Sequence, residues 1–297
     1  MAKVLVTGGT GTIGSAFIER CEETPICMGH SEKRMREFLT TFPEIDHYLC
    51  PIENKEAAFS VFEKVQPDVV IHSAAIKHVD FAAKQPIRAS EVNVLGSLNI
   101  IAASQHFEVP ITVAISTDKA SDPHSVYGYT KLLMEKCFVE ANQGDARFAV
   151  CRFGNVVGSA GSVIPIWKSQ AAKGEPISIT DERMNRFMFS VDSAVGLIQK
   201  AVQMCKDGDG GFVLTKLMKV VNVADLAGCI SSDVKVIGIR PGEQLEECLF
   251  NEEEARRSRV IGDFVRIGEE VVNELTQRHH TTTTEKMTPE ELQELIG

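Results

Sequence analysis

Short apolar runs rich in β-branched residues recur through the first half of the chain, and segments with helical spacing of apolar positions separate them. Lys3–Thr7 opens the series, and 25–28, 46–50, 68–72, 111–115 and 147–153 continue it. Between them 13–21, 54–65, 86–106 and 126–141 read as helices, with Asn54 capping the second. The run 68–72 is apolar at most positions, as expected of a parallel strand buried on both faces. Strand and helix in alternation predict an α/β fold with a doubly wound parallel sheet. The second half is less regular. A helix is expected over 162–173, with Pro165 tolerated in its first turn. A short strand at 177–179, a helix at 192–204, a glycine-rich turn at 207–211 and a strand at 212–215 follow. The helix and strand within 192–215 are expected to return to the main sheet. From residue 251 onward the chain is rich in charge. There 281–284 reads as a loop and 289–295 as a terminal helix.

The first strand runs directly into TGGTGTIG at 7–14 and then a helix. Gly8 allows a tight turn, Gly11 lets backbone approach a pyrophosphate, and Gly14 lets the helix pack close to the sheet. Thr10, Thr12 and Ile13 complete this cradle at a helix amino terminus, where free N–H groups and the dipole favour an anion. An NAD binder places an acidic residue at the end of the second strand. Here Ser31, Lys33 and Arg34 occupy that region, a set suited to a 2′-phosphate, so NADP is the expected cofactor with NAD as the alternative. Ala74 and Ala75 are small enough for backbone to pass beside a cofactor. Lys77 and His78 lie on the same carboxyl edge, and Asn93 could bridge backbone and active-site groups. These features suggest a dinucleotide-binding domain over 1–155, to which 187–217 returns, and a smaller C-terminal substrate domain over 156–297.

The stretch STDKASDPHSVYGYTK at 116–131 carries the candidate chemistry. Tyr127 and Lys131 are four apart, about one helical turn, and so share a face. A phenol has an unperturbed pKa near 10, and a nearby ammonium favours the phenolate, which can accept an alcohol proton. Thr117, Asp118 and Lys119 add a hydroxyl, an acid and an amine at the carboxyl end of a strand, where open α/β sheets bind ligands. The glycine-dense loop 154–161, including Asn155, leads to Ser162 and Val163 at the start of a helix that could face a diphosphate. Arg183, Arg186 and Arg240 are candidate diphosphate clamps, with Glu243 in the turn that follows Arg240.

Composition narrows the partners. The 297 residues include 41 acidic and 31 basic ones, giving a formal charge of −10, which disfavours nucleic acid. No apolar run reaches the ~20 residues of a membrane span, so no membrane association is expected. The opening residues enter a strand at once, which suggests no signal peptide. The 8 cysteines show no metal-ligand spacing, consistent with a reducing cytoplasmic setting and no metal.

Taken together, these segments resemble an extended short-chain dehydrogenase/reductase with a Rossmann fold. More narrowly, they resemble inverting UDP-N-acetylglucosamine 4,6-dehydratases of polysaccharide biosynthesis. The resemblance is carried by TGGTGTIG at 7–14, SAAIKHVD at 73–80, NVLGSLNI at 93–100, STDKA at 116–120 and YGYTK at 127–131. RFGNVVGSAGSVIP at 152–165, ITDERMNRF at 179–187, IRPGE at 239–243 and NEEEARRS at 251–258 extend it across almost the whole chain. It implies Tyr127 with Lys131 as the C4 base, Lys119 as the C5 base, Asp118 as the acid for the 6-hydroxyl, and Thr117 on the C4 oxygen. Tyr127, Lys131, Asn93 and Lys77 would also touch the cofactor. Lys77, His78, Asn155, Ser162, Val163, Arg183, Arg186, Arg240 and Glu243 would line the nucleotide-sugar site, and a homo-oligomer is implied. Two departures stand out. Cys50, Pro51 and Ile52 occupy the place of an acidic residue near the adenine, and 29–43 is short. A 4-epimerase would use Tyr127 and Lys131 and leave Asp118 and Lys119 idle. A non-catalytic NADP-binding regulator would need none of the five.

Overall fold

The computed structural model describes residues 1–159 and 162–296. Six parallel strands, β1 (Lys3–Thr7), β2 (Thr24–Gly29), β3 (His47–Leu49), β4 (Val69–His72), β5 (Ile111–Thr117) and β6 (Arg147–Phe153), lie in the order 3-2-1-4-5-6. The helices are α1 (Thr12–Glu19), α2 (Glu32–Thr41), α3 (Lys55–Val65), α4 (Val79–Lys84), α5 (Pro86–Ser90), α6 (Ser97–His106) and α7 (Val126–Glu140). Side chains alternate between faces: Val4 and Val6 enter one apolar cluster with Phe17 and Phe38, while Leu5 enters another with Phe62 and Ile100. The strand order reverses between β1 and β4, and the crevice outside their carboxyl ends is where such a sheet binds ligands.

Phe212–Lys216 pairs in parallel with β6, so this strand does rejoin the main sheet. The sheet then extends by a hairpin, Ser258–Ile261 and Phe264–Ile267, which the sequence pattern did not indicate. Val265 and Ile267 are buried while Arg259 and Val260 are exposed, so the apolar signal covers only part of a charged edge. Arg266 donates from Nε and Nη2 to the two Asp209 oxygens, each at 2.7 Å, and ties the hairpin to the turn before Phe212.

The expected helix over 86–106 is divided. A π-helical turn, Glu91–Gly96, separates α5 from α6, and α4 precedes them. Wide turns of this kind often mark functional positions, and this one carries Asn93. In the C-terminal part, two small sheets contribute to an apolar cluster that includes Trp167, Ile177, Met184, Leu226 and Leu292, while the strand Cys248–Phe250 packs into the main core. The Trp167 indole N–H donates to the Ser178 carbonyl at 2.8 Å. Ala160 and Gly161 of the expected glycine loop lie outside the described residues.

Candidate active site

The glycine turn after β1 is built for close approach. Gly8 has φ +68°, and a Cβ there would meet the Ala74 nitrogen at 2.7 Å. A Cβ on Gly14 would meet the Gly8 carbonyl oxygen at 2.5 Å. The Gly11 N–H donates to the Gly8 carbonyl at 2.8 Å and closes the turn, and no side chain caps α1 at Gly11. Thr10 and Thr12 are half-buried beside the turn, and Ile13 packs on the core. Ala74 and Ala75 line the facing loop after β4. Beneath it His72 is held neutral, with its pKa lowered to about 3 by burial and then by the Lys131 charge. Its ring bonds the Thr7 hydroxyl at 2.7 Å and the Ser97 hydroxyl at 3.0 Å.

The expected ribose-side set separates. The Ser31 hydroxyl accepts the Arg34 N–H and caps α2, and Lys33 sits 4.0 Å from Glu37 on the exposed helix face. Partial desolvation and then the Arg34 charge lower the Lys77 pKa. His78 begins α4 and is exposed.

Asn93 is buried, and its amide is fully engaged. Its Oδ1 accepts the Ile76 N–H at 2.8 Å, and its Nδ2 donates to the Ile76 carbonyl and to Thr130 Oγ1, each at 3.0 Å. It therefore joins the loop after β4 to α7, the helix that carries Tyr127 and Lys131.

At the end of β5 four expected residues converge. Thr117 Oγ1 donates to Asp118 Oδ1 at 2.9 Å, and Lys119 Nζ donates to the same oxygen at 3.0 Å. Asp118 Oδ2 is buried with no hydrogen-bond partner among the described residues. Gly128 lets α7 pass close to the Lys119 carbonyl, where any side chain would overlap, and this brings Tyr127 against Thr117. Burial pushes the Tyr127 phenol up to about 12, while the Lys119 ammonium and a hydrogen bond with Thr117 pull it back. The expectation that Lys131 tunes this phenol therefore needs qualifying, because the cation whose charge acts on it is Lys119. Lys131 Nζ donates to the Ile115 carbonyl at 2.6 Å, and burial lowers its pKa to about 8 against the opposing Glu135 charge.

A fifth group was not foreseen. Glu247 Oε1 lies 2.9 Å from Lys119 Nζ. Burial alone would discharge Lys119, but Asp118 and Glu247 together hold its pKa above the ordinary lysine value. The expectation of a neutral Lys119 is thus not met in this arrangement. Glu247 lies far along the chain from Lys119, and its only trace in the sequence is an acidic pair abutting the buried run Cys248–Phe250.

Of the expected clamps, Arg186 is buried. Its guanidinium donates to the carbonyls of Asn185 at 2.7 Å and Gln244 at 2.8 Å and lies 3.7 Å from Glu247. Those bonds make it part of the wall behind Glu247 rather than an open anion clamp. Arg183 is exposed and forms a two-pronged pair with Asp181 at 2.9 and 2.8 Å. Arg240 is exposed and Glu243 half-buried in a turn closed by the Arg240 N–H donating to the Glu243 carboxylate at 3.0 Å. Asn155 is half-buried in the short strand Asn155–Val156. Ser162 precedes the helix Val163–Ala172, and its buried hydroxyl has no partner among the described residues.

A Rossmann sheet with a bare glycine turn and a Thr, Asp, Lys, Tyr, Lys set at the carboxyl end of β5 defines an extended short-chain dehydrogenase/reductase of the nucleotide-sugar dehydratase and epimerase class. Within that class the chain belongs to the family described as polysaccharide biosynthesis protein, whose pattern matches residues 4–282. It is 34% identical over 266 residues to a UDP-N-acetylglucosamine 4,6-dehydratase (inverting) from Campylobacter jejuni, covering 85% of this chain and 78% of that one. It is 35% identical over 278 residues to an uncharacterized membrane protein of Methanocaldococcus jannaschii, covering 84% and 81% of the two chains. Pen from Bacillus thuringiensis superposes with a TM-score of 0.91 at 29% identity, over 99% of this chain and 97% of that structure. Among the described residues no helix is long and apolar enough to cross a membrane.

Proposed function

We propose that this protein is a nucleotide-sugar 4,6-dehydratase that takes UDP-N-acetylglucosamine and uses a nicotinamide dinucleotide, NADP in preference to NAD. The observation that carries this reading is the buried Asp118 Oδ2, without a partner among the described residues, beside the Lys119 amine and the Tyr127 phenol. A 4-epimerase needs a phenol but has no task for a second acid–amine pair. The bare glycine turn fits a dinucleotide, because any side chain at Gly8 or Gly14 would fill the space against backbone. Gly8, Thr10, Gly11, Thr12, Ile13 and Gly14 would hold its pyrophosphate, with Ala74 and Ala75 alongside. Arg34, with Lys77 near it, would take a 2′-phosphate. A bound nicotinamide would supply reversible hydride transfer, from C4 of the sugar and then to C6.

The chain's own residues supply the proton chemistry. Tyr127 accepts the C4-hydroxyl proton, assisted by the ammonium groups of Lys119 and, one helical turn away, Lys131. Thr117 hydrogen-bonds the C4 oxygen. The 4-ketone acidifies H5, which Lys119 removes as a free amine. Asp118 gives its carboxyl proton to the departing 6-hydroxyl, and as C6 takes the hydride a proton returns to C5, which balances the one Tyr127 accepted, so that only water is lost. The substrate would lie between the dinucleotide-binding part, 1–155, and the remainder of the chain.

Incubation of the cofactor-loaded protein with UDP-N-acetylglucosamine, followed by mass spectrometry, tests the proposal. Loss of one water supports it. A new sugar of unchanged mass favours a 4-epimerase, and no change opposes both. Asp118→Asn should abolish water loss, and a variant that dehydrates at the wild-type rate would remove the acid assignment. Product NMR reads whether C5 is inverted.

A further inference from the structure

Glu247 has no role in the reading above, yet it is built into the same cluster. Its side chain is only 6% exposed, and Lys119 Nζ is 2.9 Å away. Its backbone is fixed from two directions. Arg186 grips the carbonyls of Gln244 and Leu245 just before it, and the Glu247 N–H donates to Thr281 Oγ1 at 2.9 Å. The Thr281 N–H returns a bond to the Glu247 carbonyl at 3.0 Å. The carboxylate is thus held toward Lys119. The neighbouring Glu246 turns elsewhere, accepting from Asn185 and Thr281. The ionisable groups around Glu247 are Lys119 and Asp118 at the end of β5, Arg186 on the strand Asn185–Phe189, and Asp122 and His124 on the loop before α7.

Resting on the dehydratase reading, we propose that Glu247 is a positioning residue for Lys119: it holds the ammonium in place and sets the pH at which the amine becomes free to take H5. The resting cluster has two carboxylates sharing one ammonium. Catalysis needs the other tautomer, a free amine and a protonated acid. One proton passing from Lys119 Nζ to Asp118, along the 3.0 Å hydrogen bond, converts both groups at once. The amine then takes H5 and becomes ammonium again. The Asp118 proton leaves with the 6-hydroxyl as water, and the carboxylate is restored. No proton is gained or lost by the pair over the elimination. Glu247 opposes the first transfer while it is charged, because a carboxylate at 2.9 Å stabilises the ammonium.

Glu247→Gln keeps the shape and removes the charge. With the cofactor-loaded protein, exchange of H5 with deuterated solvent is followed against pH. The rising limb should move to lower pH by about one to three units, the usual effect of removing an opposite charge at this range. Glu247→Asp should bring it back toward the wild-type position. The same displacement should appear without turnover in the pH dependence of Lys119 acylation by a small amine-reactive ester, read by peptide mass. A Gln variant whose limb and acylation profile both superimpose on the wild type overturns the proposal. So does one in which C4 oxidation and H5 exchange fall together, because that marks a general loss of structure. Wild-type protein that binds the sugar nucleotide and releases no water overturns the dehydratase reading instead, and the proposal with it.

Discussion

Replacing Arg152 by Met should destabilise the protein more than any surface change and should disturb the helix that carries Tyr127. Arg152 on β6 is 0% exposed. Its guanidinium donates to Glu135 at 3.0 and 2.6 Å, to Glu254 at 2.8 and 2.7 Å, and to the Leu249 carbonyl at 2.9 Å. Glu135 follows Tyr127 and Lys131 at four-residue steps on one face of α7, and Glu254 belongs to a capping box in the helix Glu252–Arg256. Removal of Arg152 leaves two buried carboxylates facing each other without a cation. Breaking such a cluster by deleting one partner costs about 3–5 kcal/mol. At roughly 2 °C per kcal/mol for a chain of this size, the unfolding midpoint should fall by about 6–10 °C at pH 7.

The loss should depend on pH with a defined sign. Burial alone would raise the Glu254 pKa, but Arg152 holds it below the ordinary value. A depressed carboxylate contributes stability above its unfolded pKa, and that stability is lost as pH falls through the folded value. In the variant, the unpaired carboxylates can take up protons at higher pH and so relieve their repulsion. The gap between variant and wild type should therefore be widest near pH 7 and narrow toward pH 4. Differential scanning fluorimetry across that range measures it. A midpoint within about 2 °C of wild type, or a gap independent of pH, would refute the claim that this cluster is a charged, buried tie.

Other outcomes follow from single contacts. Gly14→Ala places a methyl against the backbone of Gly8 and Gly9, so stability should fall by about 1–3 kcal/mol and dinucleotide binding should weaken, both measurable by calorimetry. Arg34→Ala should weaken NADP roughly tenfold or more while leaving NAD nearly unchanged; equal losses would remove the 2′-phosphate assignment. His72 is neutral when folded, with a pKa of about 3 against 6.5 when unfolded. Between those values the unfolded chain binds the extra proton, so stability should fall as pH drops, by up to ~1.4 kcal/mol per pH unit. Chemical denaturation should show a steeper slope in the wild type than in His72→Asn.

The main sheet was legible because parallel strands buried on both faces leave runs such as VVIH at Val69–His72 that need no tertiary information. The glycine turn was legible for a similar reason, since its requirements are local. The charged hairpin Ser258–Ile267 was not, because Arg259 and Arg266 break its apolar pattern and its pairing is set by a distant strand. Within the candidate site, Thr117, Asp118, Lys119 and Tyr127 are close in sequence and meet in space. Glu247 and Arg186 arrive from the second half of the chain, where only packing decides which charge reaches Lys119. Local spacing correctly placed Lys131 one turn from Tyr127, but it could not say that its ammonium donates to the Ile115 carbonyl.

In the proposed reaction one site both oxidises C4 and expels water across C5 and C6. UDP-N-acetylglucosamine carrying deuterium at C4, incubated with the cofactor-loaded protein, tests it most directly. The product should be lighter by one water, with the label recovered at C6. Label remaining at C4 in a sugar of unchanged mass would contradict it.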